Sequence, residues 1–215
     1  MQKLIKKLTN FLLIMSLAFA VQSANADGHA KSSVLKDMPS GEYKVDLTHA
    51  SILWKVSHFG FSNYVGRFTD FTADLNLDTK DFSNSSVTVD IKVASIDTAY
   101  PYKKQEDFDK KLSEKWLLSK EAPSITFKSS KVSALDGNKF TFEGDMSMAG
   151  QTHPVVFEAT INGSTAAHPF ADNRPLIGFS AKTKIDRTKW GVSKYAPKIG
   201  ADVTVEVEGE FVMAK

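Results

Sequence analysis

Phe71-Thr72-Ala73-Asp74-Leu75-Asn76-Leu77 and, after a polar turn, Val87-Thr88-Val89-Asp90-Ile91-Lys92-Val93 alternate apolar with polar residues without a break. Successive side chains of a strand point to opposite faces, so each stretch reads as a strand with one apolar and one hydrated face. The residues between them, Asp81 to Ser86, are a turn signal. The pattern recurs outward in both directions. Ile52, Trp54, Val56 and His58 share a face, with Lys55 and Ser57 opposite. Phe140-Phe142, Met146-Met148 and Ile177-Phe179-Ala181 through Ile185 follow, and Val203, Val205, Val207 and Phe211 alternate with Thr204, Glu206, Glu208 and Glu210. Further turns are expected at Asp136-Gly137-Asn138, Ala149-Gly150-Gln151, Asn162-Gly163 and Ile199-Gly200. Roughly eight to ten half-apolar strands make an all-β antiparallel sandwich or barrel the economical fold.

One segment breaks the rhythm. Gln105 to Leu118 places Phe108, Leu112 and Trp116 at i, i+4 and i+8 among charged residues, which predicts an amphipathic helix over 105–118 ending before Ala122-Pro123. Its apolar stripe must be buried, and a mouth or side of the barrel is the available surface. His168 to Pro175 reads as an irregular loop.

The N-terminus sets the expected compartment. Lys3, Lys6 and Lys7, the apolar run Phe11 to Val21 and the small-x-small Ala24-Asn25-Ala26 together read as a secretory signal peptide over residues 1–26. That run is short of the roughly 18 residues a membrane anchor needs, so no stable membrane insertion is expected. Residues 27–41 read as a disordered leader and 42–215 as a single domain. Cleavage removes three of the 27 basic and none of the 25 acidic residues, leaving a net charge near −1. Such a surface offers no electrostatic case for nucleic acid. The chain has no cysteine, so packing alone must hold an exported, periplasmic protein together.

Catalytic chemistry finds no support. His29, His49, His58, His153 and His168 lack the close spacing of a helical zinc motif, so no metal site is expected. There is no G-x-S-x-G elbow, phosphate loop or dinucleotide fingerprint, no catalytic residue is assigned, and no cofactor is expected. The informative residues are aromatic: Phe59, Phe61, Tyr64, Phe68 and Phe71 crowd the stretch after Trp54. A small barrel can be filled by such side chains or can hold one ligand, and the pattern leaves both open.

Six pieces, in order from about Glu42 to the C-terminus, resemble the YceI-like, polyisoprenoid-binding periplasmic proteins. They are Tyr43-Lys44-Val45-Asp46 with His49-Ala50-Ser51-Ile52; Trp54 to His58 with Val65-Gly66-Arg67-Phe68; Val89 to Asp97; Ala122-Pro123-Ser124-Ile125-Thr126-Phe127; Gly144 to Val155; and Ile185-Asp186-Arg187-Thr188-Lys189-Trp190-Gly191-Val192. The chain departs from that pattern before and within the helix. Lys111 stands at a histidine, and Trp116 and Leu117 stand at two phenylalanines.

The resemblance implies a lipocalin-like antiparallel β-barrel with one helix, enclosing an apolar tunnel for an isoprenoid, a quinone tail or a similar amphiphilic lipid. Ile52, Trp54, Val56, Phe68, Val89, Ile91, Phe127, Met146, Met148, Phe157, Phe179 and Trp190 are the candidate tail contacts. His58, Tyr64, Arg67 and Arg187 are the candidate head-group contacts, with Arg187 the best placed chemically for a phosphate because its guanidinium offers a bidentate fork. For His58 the competing reading is a hydrogen-bonded core histidine, and for Arg187 a surface ion pair. The leading expectation is a non-enzymatic carrier. Its alternatives are a stress-response or protein-interaction module with a packed barrel, and an enzyme acting on a quinone or prenyl substrate. Sheet edges make a homodimer a further expectation.

Overall fold

The alternating stretches become ten strands in the computed structural model, which describes residues 33–215. In chain order they are β1 (Gly41–His58), β2 (Ser62–Phe68), β3 (Phe71–Leu77), β4 (Ser86–Lys92), β5 (Ile96–Asp97), β6 (Ser124–Val132), β7 (Lys139–Met148), β8 (Gln151–His168), β9 (Arg174–Asp186) and β10 (Ile199–Met213). The proposed signal peptide lies outside the described residues.

Eight of these strands close an antiparallel barrel in the order β1, β3, β4, β6, β7, β8, β9, β10 and back to β1. The first and last strands make the seam, with registers from Tyr43 opposite Met213 to His58 opposite Ile199. β1 changes its other partner part-way: Gly41–Lys44 pairs with β3, and Ile52–His58 pairs with β2. A bulge between Asp46 and Ala50 marks the change, as expected where a strand must bend and re-aim its side chains. The short β5 pairs with the end of β2.

Alternation translates directly into burial. In β3, Phe71, Ala73, Leu75 and Leu77 are buried, while Thr72, Asp74 and Asn76 are exposed. Inward side chains gather into two clusters. One surrounds Tyr43, Leu77, Ile161 and Ile177 at one end, and the other surrounds Val93, Ile125, Phe127 and Trp190 toward the opposite end. The buried Tyr43 hydroxyl donates to Pro39 O at 2.7 Å, and its burial pushes the phenol pKa up to about 12.

Four local expectations change. The leader is ordered from Ser33: Ser33–Leu35 form a 3-10 turn and Met38 is buried in the core, because the end of the barrel needs an apolar cover. Asn162-Gly163 is no turn but a bulge inside β8, where Asn162 Nδ2 donates to Ser180 Oγ across the sheet at 2.8 Å. The segment His168 to Pro175 is mostly regular, with β8 running to His168, a 3-10 turn over Pro169–Ala171 and β9 beginning at Arg174. The helix is shorter than 105–118. Asp107 caps α1 (Phe108–Lys111), which widens into a π-helical turn over Leu112–Trp116 closed by Leu117 N donating to Leu112 O at 3.0 Å. Thr98 N and Oγ1 both donate to Asp109, anchoring this helical segment to the strand side of the barrel.

Candidate functional site

The barrel interior is not filled. A cavity of about 700 Å³ runs inside it, within the ~300–1,000 Å³ range of ligand sites. Every strand of the closed barrel contributes to its wall, and Phe108, Leu112, Trp116 and Leu117 of the helical segment cover one side. The period of four that predicted the helix is thus the period of its cavity contacts.

Aromatic rings organise the wall. Phe142 and Phe157 stack at 4.9 Å, with planes 2° apart, and Phe127 meets them edge-on at 5.6 and 5.4 Å. The series continues from Phe140 to Phe179 at 6.0 Å and on to Phe211 at 5.7 Å. Edge-to-face and offset contacts keep large rings in fixed places without filling the space between them. At the other end Trp54, Tyr64, Phe108 and Trp116 form a second run with centroid separations near 6 Å: 6.2 Å for Trp54–Tyr64, 6.0 Å for Tyr64–Phe108 and 6.1 Å for Phe108–Trp116. His58, Tyr64, Tyr100, Lys111, Arg187 and Tyr195 touch the cavity at that end, and Ser85, Ser86 and Glu208 touch it farther along the barrel. Trp54 Nε1 is buried and has no hydrogen-bond partner among the described residues.

Residues 43–211 match the YceI-like domain family. The chain belongs to the YceI-like family. A UPF0312 protein of Pseudomonas putida is 32% identical over 174 residues, covering 79% of this chain and 86% of that protein. Among solved structures, Burkholderia cenocepacia BcnA superposes with a TM-score of 0.66 at 22% identity, covering 77% of this chain and 98% of BcnA. A polyisoprenoid binding domain from Saccharophagus degradans, implicated in plant cell wall breakdown, superposes with a TM-score of 0.59 at 11% identity, covering 80% of this chain and 98% of the domain. These neighbours share the barrel.

Of the expected tail contacts, Ile52, Trp54, Val56, Phe68, Val89, Ile91, Phe127, Met146, Met148, Phe157 and Phe179 line the cavity of this YceI-like barrel. Trp190 does not. It is buried behind the wall, donating from Nε1 to Met146 O at 3.0 Å and meeting the His153 ring edge-on at 5.0 Å. Its position after β9, in the 3-10 turn Arg187–Trp190, puts it outside the strand alternation that would have aimed it inward.

The head-group set divides. Tyr64 touches the cavity and Trp54. His58 is neither a core residue nor deep in the cavity: it is exposed at the rim, edge-on to Phe59 at 4.8 Å. Arg67 faces outward, donating through Nε and Nη2 to Asp97 Oδ2 at 3.0 and 2.9 Å, because β2 alternation turns it away from Gly66 and Phe68. Arg187 is buried and satisfied by main-chain carbonyls. Nε donates to Gly200 O at 2.8 Å, Nη1 to Val192 O, and Nη2 to Lys194 O and Ile199 O at 3.1 and 2.8 Å. Burial draws its pKa below the usual guanidinium value. It is neither a surface ion pair nor a free fork for phosphate; it staples the 192–200 loop to the barrel end.

Sequence reasoning passed over one feature. The bulge in β1 brings His49 beside Asp46 and Glu210, and their ligand-type atoms lie within 4.8 Å of one another. His49 Nδ1 is 2.9 Å from Asp46 Oδ2, which holds the Asp46 carboxyl down to about 2. The D-x-x-H spacing was visible, but only a bulge puts both side chains on one face. Lys111, the departure from the family pattern, stands at the rim, where its Nζ donates to Glu106 Oε1 at 2.6 Å, a bond that raises its pKa.

Proposed function

We propose that this YceI-like chain is a non-enzymatic carrier that holds a lipid with a long apolar tail, of isoprenoid or similar amphiphilic type, inside the barrel, and that it works in the periplasm after removal of residues 1–26. The observation that carries the reading is the cavity: an aromatic-walled space of about 700 Å³ whose histidine, tyrosine, lysine and arginine side chains lie at one end. A packed barrel would have had those rings meet across the interior. The description of the Saccharophagus degradans neighbour as a polyisoprenoid binding domain supports the same ligand class.

At about 0.8 kcal/mol per buried CH₂-sized group, each five-carbon unit contributes about 4 kcal/mol gross, offset by chain ordering and lost rigid-body freedom. Tail burial therefore supplies affinity with little discrimination. Discrimination falls to the polar end, where His58, Tyr64, Tyr100 and Tyr195 touch the cavity. Arg187 is engaged by carbonyls and Lys111 by Glu106, so neither is placed as a proton donor or acceptor for chemistry on a bound head group.

Mass spectrometry of organic extracts from protein purified out of its native source tests the reading. A stoichiometric lipid is expected, and Phe179→Glu, which puts a charge in the cavity wall, is expected to lose it. A folded native protein with no lipid, or a Phe179→Glu variant still fully loaded, would overturn the reading.

A further inference from the structure

We infer that the polar end of the cavity docks on an anionic phospholipid surface, so that a lipid passes between bilayer and barrel without crossing water. The inference rests on the carrier reading above and adds to it the partner from which the cavity is loaded.

The rim is apolar where a soluble protein would normally be polar. The β1–β2 turn presents Phe59, half-exposed, and Phe61, 90% exposed, around Gly60. Phe59 holds φ +53°, a backbone region unfavourable for a bulky residue, and is pinned there by its N–H donating to Lys198 O at 2.8 Å. Tyr195 and Tyr102 are also exposed. These residues form one continuous edge. Phe59 is bonded to the 192–200 loop at Lys198, and Tyr195 of that loop meets Trp116 at 5.6 Å. Phe108 then links Trp116 to Tyr100 at 6.1 and 5.2 Å, and Tyr100 meets Tyr102 at 5.9 Å. Phe59, Tyr100 and Tyr195 line the cavity as well, so the same rings that face solvent form its entrance.

Charge selects the partner. Residues 187–198 carry Arg187, Lys189, Lys194 and Lys198 with no acidic residue among them. Lys194 and Lys198 are exposed and enter no ion pair among the described residues. Lys194 lies over the Tyr195 ring at 5.1 Å, which holds a cation beside an exposed aromatic. On the helical side Lys104, Lys110 and Lys115 enter no ion pair among the described residues and outnumber the likewise unpaired Asp107 and Glu121 by one, while Lys103, Lys111 and Lys120 are matched to Asp109, Glu106 and Glu114. Exposed aromatic rings flanked by lysines are the composition that enters a headgroup layer: rings reach the acyl boundary while ammonium groups meet lipid phosphates. No helix of the described residues is long and apolar enough to cross a membrane.

Flotation with vesicles of phosphatidylcholine, with and without phosphatidylglycerol, tests the assignment on the full chain as purified, its N-terminus read by intact mass. The protein is expected to float with the anionic vesicles and to be released by salt. Phe59→Ser/Phe61→Ser and Lys194→Glu/Lys198→Glu should each weaken binding by more than about tenfold, at about fivefold per lysine contact, with folding checked by circular dichroism. Phe170→Ser, which removes a ring 95% exposed at the opposite end, should bind like the parent. Absence of vesicle binding, parental binding by both rim variants, or rim-dependent self-association in sedimentation would overturn the inference. Lipid content of each variant is measured in parallel. Lost docking with retained cargo separates this inference from the carrier reading, which an empty parent protein would contradict.

Discussion

The indole of Trp54 lies on the backbone of Gly66, its partner across the β1–β2 pair, where a Cβ would overlap Cζ2 and come within 2.6 Å of Cε2. The glycine is what allows the ring to lie flat against β2 and leave the cavity open beside it. Gly66→Ala should force the indole into the cavity or off the strand, costing about 1–3 kcal/mol as over-packing does. Urea unfolding measures that cost, and near-UV circular dichroism reports the moved ring. An alanine variant of parental stability and spectrum would show that the close approach is dispensable.

Arg187 gives a prediction opposite to that of a head-group ligand. Lysine has three donors on one point and cannot reach Gly200, Val192, Lys194 and Ile199 together. Arg187→Lys should therefore lose about 2–4 kcal/mol through orphaned carbonyls, with the identity of the extracted lipid unchanged. Loss of lipid at full stability would instead assign Arg187 to the ligand.

Asp109 joins the helical segment to Thr98 through two hydrogen bonds to one carboxylate oxygen. Asp109→Ala strands both Thr98 donors in a partly buried site and should cost about 1–3 kcal/mol. Because the segment covers one side of the cavity, release of a fluorescent fatty ligand should accelerate. An unchanged release rate would mean that cargo leaves by another route.

Much of this was legible in the chain and some was not. Alternation placed Ile52, Trp54 and Val56 on the cavity face because strand period and side-chain direction are locked together. It also placed Phe127, Met146 and Phe179 there. Trp190, Arg67 and Arg187 sit differently from expectation for separate reasons. Trp190 and Arg187 lie in a 3-10 turn, where no period of two applies, and Arg67 obeys the alternation but was chosen for its charge. The π-helical turn and the β1 bulge carry no simple sequence signal, since each depends on the partner packed against it.

Acid should weaken the fold in a defined window. Hydrogen bonds from His49 and Thr48 hold Asp46 at about 2, below the ordinary aspartate value of 3.8. Asp90, Asp97 and Asp186 are lowered as well, chiefly by Lys92, by the Ala99 N–H and by Thr188 respectively. A depressed carboxyl stabilises the fold fully above its unfolded pKa and loses that contribution as pH falls through the folded value. Urea midpoints should thus decline from about pH 4 toward pH 2, and Asp46→Asn should flatten part of the decline. A midpoint independent of pH across that range would remove the assigned role.

The seam between the first and last strands has a consequence for biogenesis. Tyr43 finds Met213, and His58 finds Ile199, only once the whole chain has been made. A nascent chain has no wall on that side, and its phenylalanines cannot enclose anything. Pairings so distant in sequence are slow to form, and the open intermediate exposes strand edges and rings. Maturation is therefore all-or-nothing: a chain stopped before Ile199 loses the closing stave, leaving an aggregation-prone sheet for proteases and chaperones to find.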